Sequence, residues 1–223
     1  MKITWIGQAG LLFETGGVTT LVDPYLSDSV KKVNPANYRR VPVEERLFDV
    51  RPDVLVCTHD HLDHFDPETV SRFLRGGGVC MLCPASVYEK ARTYGGDNNY
   101  VLFNRHTEWT HGSIRFRAVK AEHSDLSAIG VIIEAEGKTC YITGDTLYNT
   151  EIFSDLPDKV DVLFLPINGV GNNMNMADAA RFAARVGAAH TVPLHFGMFD
   201  ALDPEQFCCP NRHIPVLYQP FPF

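Results

Sequence analysis

The sequence has 223 residues, enough for one large α/β unit with a sizeable core, and its 45% apolar and 21% charged residues are those of an ordinary globular protein. A net charge of −7 argues against broad nucleic-acid binding, which needs a basic face, and no run of 18 apolar residues is available to span a membrane. The opening Met1-Lys2-Ile3-Thr4-Trp5 enters a strand pattern directly, without the pattern of a signal peptide.

Strands are expected first, over 2–6, 10–14 and 18–22. The stretch 24–48 reads as irregular and polar. Within it, Lys31-Lys32-Val33-Asn34-Pro35-Ala36-Asn37-Tyr38-Arg39-Arg40 carries four basic residues and no acid. Two readings are open: a solvated surface loop, or a mobile basic loop whose Arg39 and Arg40 hold an anionic substrate group. The apolar run Val54-Leu55-Val56-Cys57 lies in a short buried strand over 53–58. Directly after it comes Thr58-His59-Asp60-His61-Leu62-Asp63-His64, three histidines and two aspartates in six residues. Imidazole and carboxylate are ligands for zinc, manganese or iron, and burying such a cluster without a metal is costly. His59 and His61 are two apart, so on extended backbone they point the same way. Asp63 and His64 follow a turn and reach the same cavity from another angle. Asp60, between two candidate ligands, is expected to point away and bond locally. Asp66, Pro67 and Glu68 then signal a helix over 67–75. Ligands at the carboxyl end of a strand, before a helix, sit where open α/β sheets place their sites.

A strand over 79–83, a helix over 86–94 and a strand over 100–103 complete the first half. The second half opens with strands over 113–120, 128–135 and 138–143. It continues with a helix over 149–156, a strand over 160–165, a helix over 176–187, a strand over 190–194 and a final strand over 214–218. Three of these segments repeat the earlier arrangement: His123 follows one strand, Gly144-Asp145 another, and His195 a third. The convergent set is therefore His59, His61, Asp63, His64, His123, Asp145 and His195. Seven ligands exceed the need of one tetrahedral ion but suit two ions sharing a carboxylate. Pro166-Ile167-Asn168-Gly169-Val170-Gly171-Asn172-Asn173 precedes the Ala-rich helix; Asn168 reads as a substrate contact, and Asn173 or Asn175 as a helix cap. Tyr148 and Phe196, beside the ligand segments, are expected to wall the site, with Tyr148 touching substrate.

The remaining candidates read as structural. His106, His190 and His213 lack a ligand context, and His111 lies at an expected exposed hairpin tip, Thr110-His111-Gly112. Cys57, Cys80 and Cys140 sit in apolar runs as small buried hydrophobes. Cys80-x-x-Cys83 has no second CxxC partner and falls inside a strand, so a metal or redox role is disfavoured. Unpaired thiols without a signal sequence point to a reducing cytoplasm. Two halves, each strand-rich and then alternating β/α, suit two sheets packed together with helices outside, in a single domain over 1–223.

His59-x-His61-x-Asp63-His64 with His123, Asp145 and His195 resembles the motif set of the metallo-β-lactamase superfamily, and the resemblance covers nearly the whole chain. It implies an α/β fold, a four-layer αββα sandwich of two mixed sheets flanked by helices. Gly7-Gln8-Ala9-Gly10, Thr58-His59-Asp60-His61 and Leu194-His195-Phe196-Gly197-Met198-Phe199 look most like the branch containing L-ascorbate-6-phosphate lactonase. The resemblance implies that His59, His61 and His123 hold one metal, Asp63, His64 and His195 a second, and Asp145 bridges them. Asp23 would support the ligand loop by hydrogen bonds. The cofactor is then one or two divalent ions, zinc or manganese foremost and iron admissible.

The implied chemistry is hydrolysis of an ester, a lactone (sugar-phosphate lactones included) or a phosphodiester by metal-activated water, with Asp63 and His195 as catalytic groups. A mononuclear iron dioxygenase on the same scaffold and a non-catalytic metal-binding protein are the alternatives. The partner is a small-molecule substrate, an anionic one included, with no membrane and no nucleic acid. A homo-oligomer stays open, because the Pro220-Phe221-Pro222-Phe223 tail can pack on a partner subunit or on its own core.

Overall fold

The computed structural model describes residues 1–222. Alternating apolar residues divide the strands into two six-stranded sheets. In the first, β1 (Lys2–Gly7), β2 (Gly10–Thr15) and β3 (Val18–Val22) form an antiparallel meander. From β3 the ladder turns parallel through β4 (Val54–Val56), β5 (Cys80–Cys83) and β6 (Asn99–Leu102). The second sheet repeats the scheme. Strands β7 (Glu108–His111), β8 (Ile114–Lys120), β9 (Ile129–Ala135) and β10 (Lys138–Ile142) are antiparallel, and β11 (Val162–Pro166) and β12 (His190–Leu194) continue in parallel. This is the expected four-layer α/β sandwich of two mixed sheets.

Ile3, Trp5, Phe13, Val54 and Val56 of the first sheet and Ile114, Phe116, Val131, Ile133 and Phe164 of the second share one buried cluster. Phe13 meets Phe164 edge-on, with ring centroids 6.3 Å apart. Each such side chain contributes about 1.5–3 kcal/mol of transfer free energy, so the interface between sheets is the main cohesive element. The opposite face of the first sheet buries Leu12, Leu21, Leu55 and Met81 against α2 (Pro67–Arg75) and α3 (Ala85–Arg92). Asp66 caps α2 by accepting from Glu68 N at 3.2 Å, with Pro67 as the first helical residue. On the second sheet α4 (Met176–Val186) packs Phe182 toward Tyr141; Asn175 caps it and Gly187 ends it in the left-handed region.

Four expectations are corrected. The stretch 24–48 holds a short helix α1 (Ser29–Val33) and a 3-10 turn over Glu45–Asp49. Glu108–His111 is an edge strand whose polar alternation concealed it; His111 pairs with Ile114 and is half-buried rather than exposed. Residues 150–155 wind as a 3-10 turn, not an α-helix. No ladder forms over 214–218, since Pro215 has no N–H to offer; instead Tyr218 and Phe221 donate to Trp5 and Ile3 and strap the free edge of β1. The tail thus packs on its own core as far as Phe221, Pro222 is exposed, and Phe223 lies outside the described residues. All six cysteines are free thiols, and Cys80 and Cys83 are buried in β5 with thiols pushed up to about 11 and about 12 by burial. Among the described residues no helix is long and apolar enough to cross a membrane.

Candidate metal centre

The site forms where the parallel strands of both sheets end. The chain leaves β3 at Asp23, a non-glycine residue at φ +44°, whose buried carboxylate receives Thr58 N at 2.8 Å and Thr58 Oγ1 at 2.6 Å. These bonds fix the loop leaving β4. Asp23 Oδ2 also lies 2.8 Å from His64 Nδ1, which donates to it and turns His64 Nε2 inward. Thr58 Oγ1 spends its proton on Asp23, so it accepts from His59 Nδ1 at 3.0 Å and leaves His59 Nε2 bare. A turn in which His61 O receives His64 N and Phe65 N swings Asp63 and His64 back toward His59. Asp60 points away and pairs with Lys90.

The second sheet supplies the rest. His123, after β8, donates Nδ1 to Asn172 O at 3.2 Å and brings Nε2 within 3.2 Å of His61 Nδ1. Asp145 follows Gly144, which sits at φ +62° where a Cβ would fall 2.7 Å from the Ile129 carbonyl oxygen. Asp145 Oδ2 accepts from Asn173 Nδ2 at 2.8 Å and lies 3.2 Å from His195 Nε2, while Oδ1 lies 3.2 Å from His64 Nε2. His195, after β12, is held at φ +61° by donating its backbone N–H to Gln8 O.

All seven sequence candidates converge. The ligating atoms of His59, His61, His123 and Asp145 lie within 4.8 Å of one another, as do those of Asp63, His64 and His195. His59 Nε2, His64 Nε2 and Asp145 Oδ1 are buried without a hydrogen-bond partner. Buried polar atoms without partners, gathered beside carboxylates, are what a cation satisfies, so the donor set fits one or two divalent ions. The electrostatics agree. Burial disfavours the charged form of His195, but the Asp145 and Asp63 carboxylates outweigh it and hold the imidazolium up to about 10. His64 is raised in the same way by Asp145, Asp23 and Asp63, against its own burial. His59, whose burial dominates, is pushed well down and stays neutral. The carboxylates thus demand positive charge at this point, and a bound cation meets that demand and releases those protons.

A cavity of about 300 Å³ opens onto His61, Asp63, Asp145 and His195; its walls are Val30, Asn37, Asn168, Val170, Phe199 and Asp200. Asn168 therefore lies where a substrate contact was expected. Arg39, Arg40 and Tyr148 do not line it. The Arg39 guanidinium is spent on Tyr25 O and Tyr218 OH, and Arg40 stacks over Tyr38. Tyr148 packs among Phe153, Phe182 and Arg181. Phe196 stacks on Trp5, and Phe199 takes the wall position instead. Two residues were missed in these roles. Asn173 orients Asp145 rather than capping α4. Gln8, 1% exposed at φ +52°, places its amide nitrogen 2.7 Å from Asp63 Oδ2. In the sequence it stood only as part of the Gly7-Gln8-Ala9-Gly10 motif, with no role of its own.

Comparison with known proteins places this geometry among relatives. The family model described as a beta-lactamase superfamily domain matches residues 19–196. A UPF0173 protein of Pyrococcus furiosus is 31% identical over 208 residues, covering 93% of this chain and 89% of that protein. A UPF0173 metal-dependent hydrolase of Staphylococcus epidermidis is 30% identical, covering 93% of this chain and 91% of that one. A solved structure from Veillonella parvula, described as a possible metal-dependent hydrolase, superposes with a TM-score of 0.82 at 18% identity over 100% of this chain and 99% of that one.

Proposed function

The chain belongs to the metallo-β-lactamase superfamily, and from that premise we propose that it is a metal-dependent hydrolase of a small, uncharged carboxylic ester or lactone. The observation that carries the reading is the pair of largely buried His/Asp donor sets, with unpartnered polar atoms and with His61 at the open side, at the floor of a substrate-sized cavity. In this reading His59, His61 and His123 hold one ion, Asp63, His64 and His195 the other, and Asp145 is shared. A cation held there would supply Lewis acidity and lower the pKa of water toward neutrality.

The chain's own residues do the rest. With the Asp63, His64 and His195 set empty of metal, Asp63 Oδ2 and His195 Nε2, 3.2 Å apart, form a proton relay: Asp63 takes the proton from the attacking water and His195 delivers one to the leaving alkoxide. Asn168 and Asn37 hydrogen-bond the acyl or ring oxygens, and Val30, Val170 and Phe199 exclude water from the apolar part. Among the described residues no lysine or arginine lines the cavity, and Asp200 adds negative charge to its wall. The phosphate of a sugar-phosphate lactone or a phosphodiester would find no cationic side chain there, which favours the uncharged substrate.

The test is the metal content of protein purified without chelator, with turnover of neutral lactones, sugar-phosphate lactones and phosphodiesters in added zinc or manganese. Neutral lactone or ester cleavage that stops on chelation is expected, and Asp63→Ala is expected to lower it at least ~10²-fold. Bound iron with oxygen uptake, or near-normal turnover by metal-replete Asp63→Ala, would overturn the assignment.

A further inference from the structure

The Gln8 side chain stands in the path of one of the two donor sets. Its amide lies 2.7 Å from Asp63 Oδ2, and opposite a carboxylate at that distance the amide must present its nitrogen. The same nitrogen is 3.1 Å from His195 Nε2 and 3.2 Å from His195 Nδ1. Lying almost equally far from both ring nitrogens, the amide nitrogen packs against the His195 ring, and it donates to the Asp63 oxygen nearest the site. Asp63 and His195 are two of the three side chains that a cation on Asp63, His64 and His195 would use. In the other set no side-chain amide intrudes on a ligating atom in this way: the bond to His59 falls on Nδ1 and leaves Nε2 bare, that from His123 Nδ1 goes to Asn172 O, His61 meets only His123 Nε2 and the Ser124 hydroxyl, and Asn173 takes Asp145 Oδ2 while Oδ1 has no partner.

The backbone argues that the side chain is wanted. Gln8 occupies the left-handed region, where a glutamine is strained and glycine or asparagine is not, and it faces His195, also left-handed, across the His195 N to Gln8 O bond. A turn alone would need no buried amide here.

We propose that Gln8 grades the two halves of the centre. Its amide competes with a cation for Asp63 and His195, so the set of His59, His61, His123 and Asp145 fills first and tightly. The second set fills more weakly, and only as Gln8 turns aside. This rests on the metal-centre reading above.

The experiment is calorimetric titration of chelator-stripped full-length protein with manganese, alongside the paramagnetic resonance of the bound ions. The wild type is compared with Gln8→Ala and Gln8→Asn; asparagine tolerates the left-handed turn but is one methylene too short to reach both partners. Two steps are expected for the wild type. In both variants the weaker step should tighten about tenfold or more, the scale on which a neighbouring hydrogen bond tunes metal affinity, and the tight step should stay within about threefold. The spin-coupled signal of a paired centre should then appear at lower manganese. A weaker step that is unchanged or loosened in both variants would overturn the role of Gln8 alone. No manganese bound by any of the three would overturn the metal centre and this proposal with it.

Discussion

Asp145 accepts from Asn173 with one oxygen and faces His64 Nε2 with the other, so its charge and its orientation can be changed separately. Asp145→Asn keeps the shape and removes the charge shared by both donor sets. Asn173→Ala keeps the charge and releases the orientation. Loss of metal affinity should therefore be larger in Asp145→Asn, and about 10-fold to 100-fold in Asn173→Ala, measured by competition with a chelating dye. A second carboxylate governs acid stability away from the site. Asp155 takes Arg105 Nε at 2.6 Å and Nη2 at 2.8 Å and also accepts Lys120 N. Burial opposes its ionisation, but these partners outweigh burial and hold its carboxyl well below the usual range. The folded-state value is depressed, so its stabilisation is complete above the unfolded value near pH ~4 and is lost as pH falls below it. Asp155→Asn should lower stability at pH 7 and flatten the decline between pH ~4 and pH ~2, followed by urea midpoints across that interval.

Every candidate ligand except those on the 59–64 loop stands at the exit of a strand, and the geometry of each exit decides whether the side chain reaches the site. Gly144 shows the constraint: its φ of +62° and the 2.7 Å approach of the Ile129 carbonyl leave no room for a Cβ. Gly144→Ala should cost about 2 kcal/mol or more, and Gly137→Ala, at φ +71° with nothing within 4 Å, only the conformational part. For a chain of this size the first should lower the melting temperature of metal-free protein by about 4–8 °C and the second by roughly half as much. Strand exits were readable because His123, Asp145 and His195 each follow a β-rich apolar run. Edge structure was not: Glu108-Trp109-Thr110-His111 alternates polar residues at a sheet margin, where burial leaves a weak pattern. Gln8 and Asn173 escaped for another reason. Their partners are 55 and 28 residues away, and nothing local to either sequence position marks a side chain that bonds a distant carboxylate.

At the scale of the molecule, the layered fold was legible because both halves repeat a meander followed by alternating strands and helices. The way the sheets face each other was not, since periodicity assigns a face to each strand but not a partner to each face. That docking is what completes the site: His59, His61, Asp63 and His64 leave the first sheet, and His123, Asp145 and His195 leave the second. A cation held by both should therefore stabilise the whole fold, by about 2.7 kcal/mol at a free concentration 100 times Kd. Chelation should lower the melting temperature by about 5–10 °C, while metal-stripped Asp145→Asn should show no further fall. Each donor set draws on both sheets, so neither half of the chain alone offers a full chelate. Metal capture would thereby report on correct assembly. A chain whose halves have docked out of register presents only fragments of the cage, stays empty, and carries no loose Lewis acid into solution, so the reactive centre switches on only in molecules that have been assembled correctly.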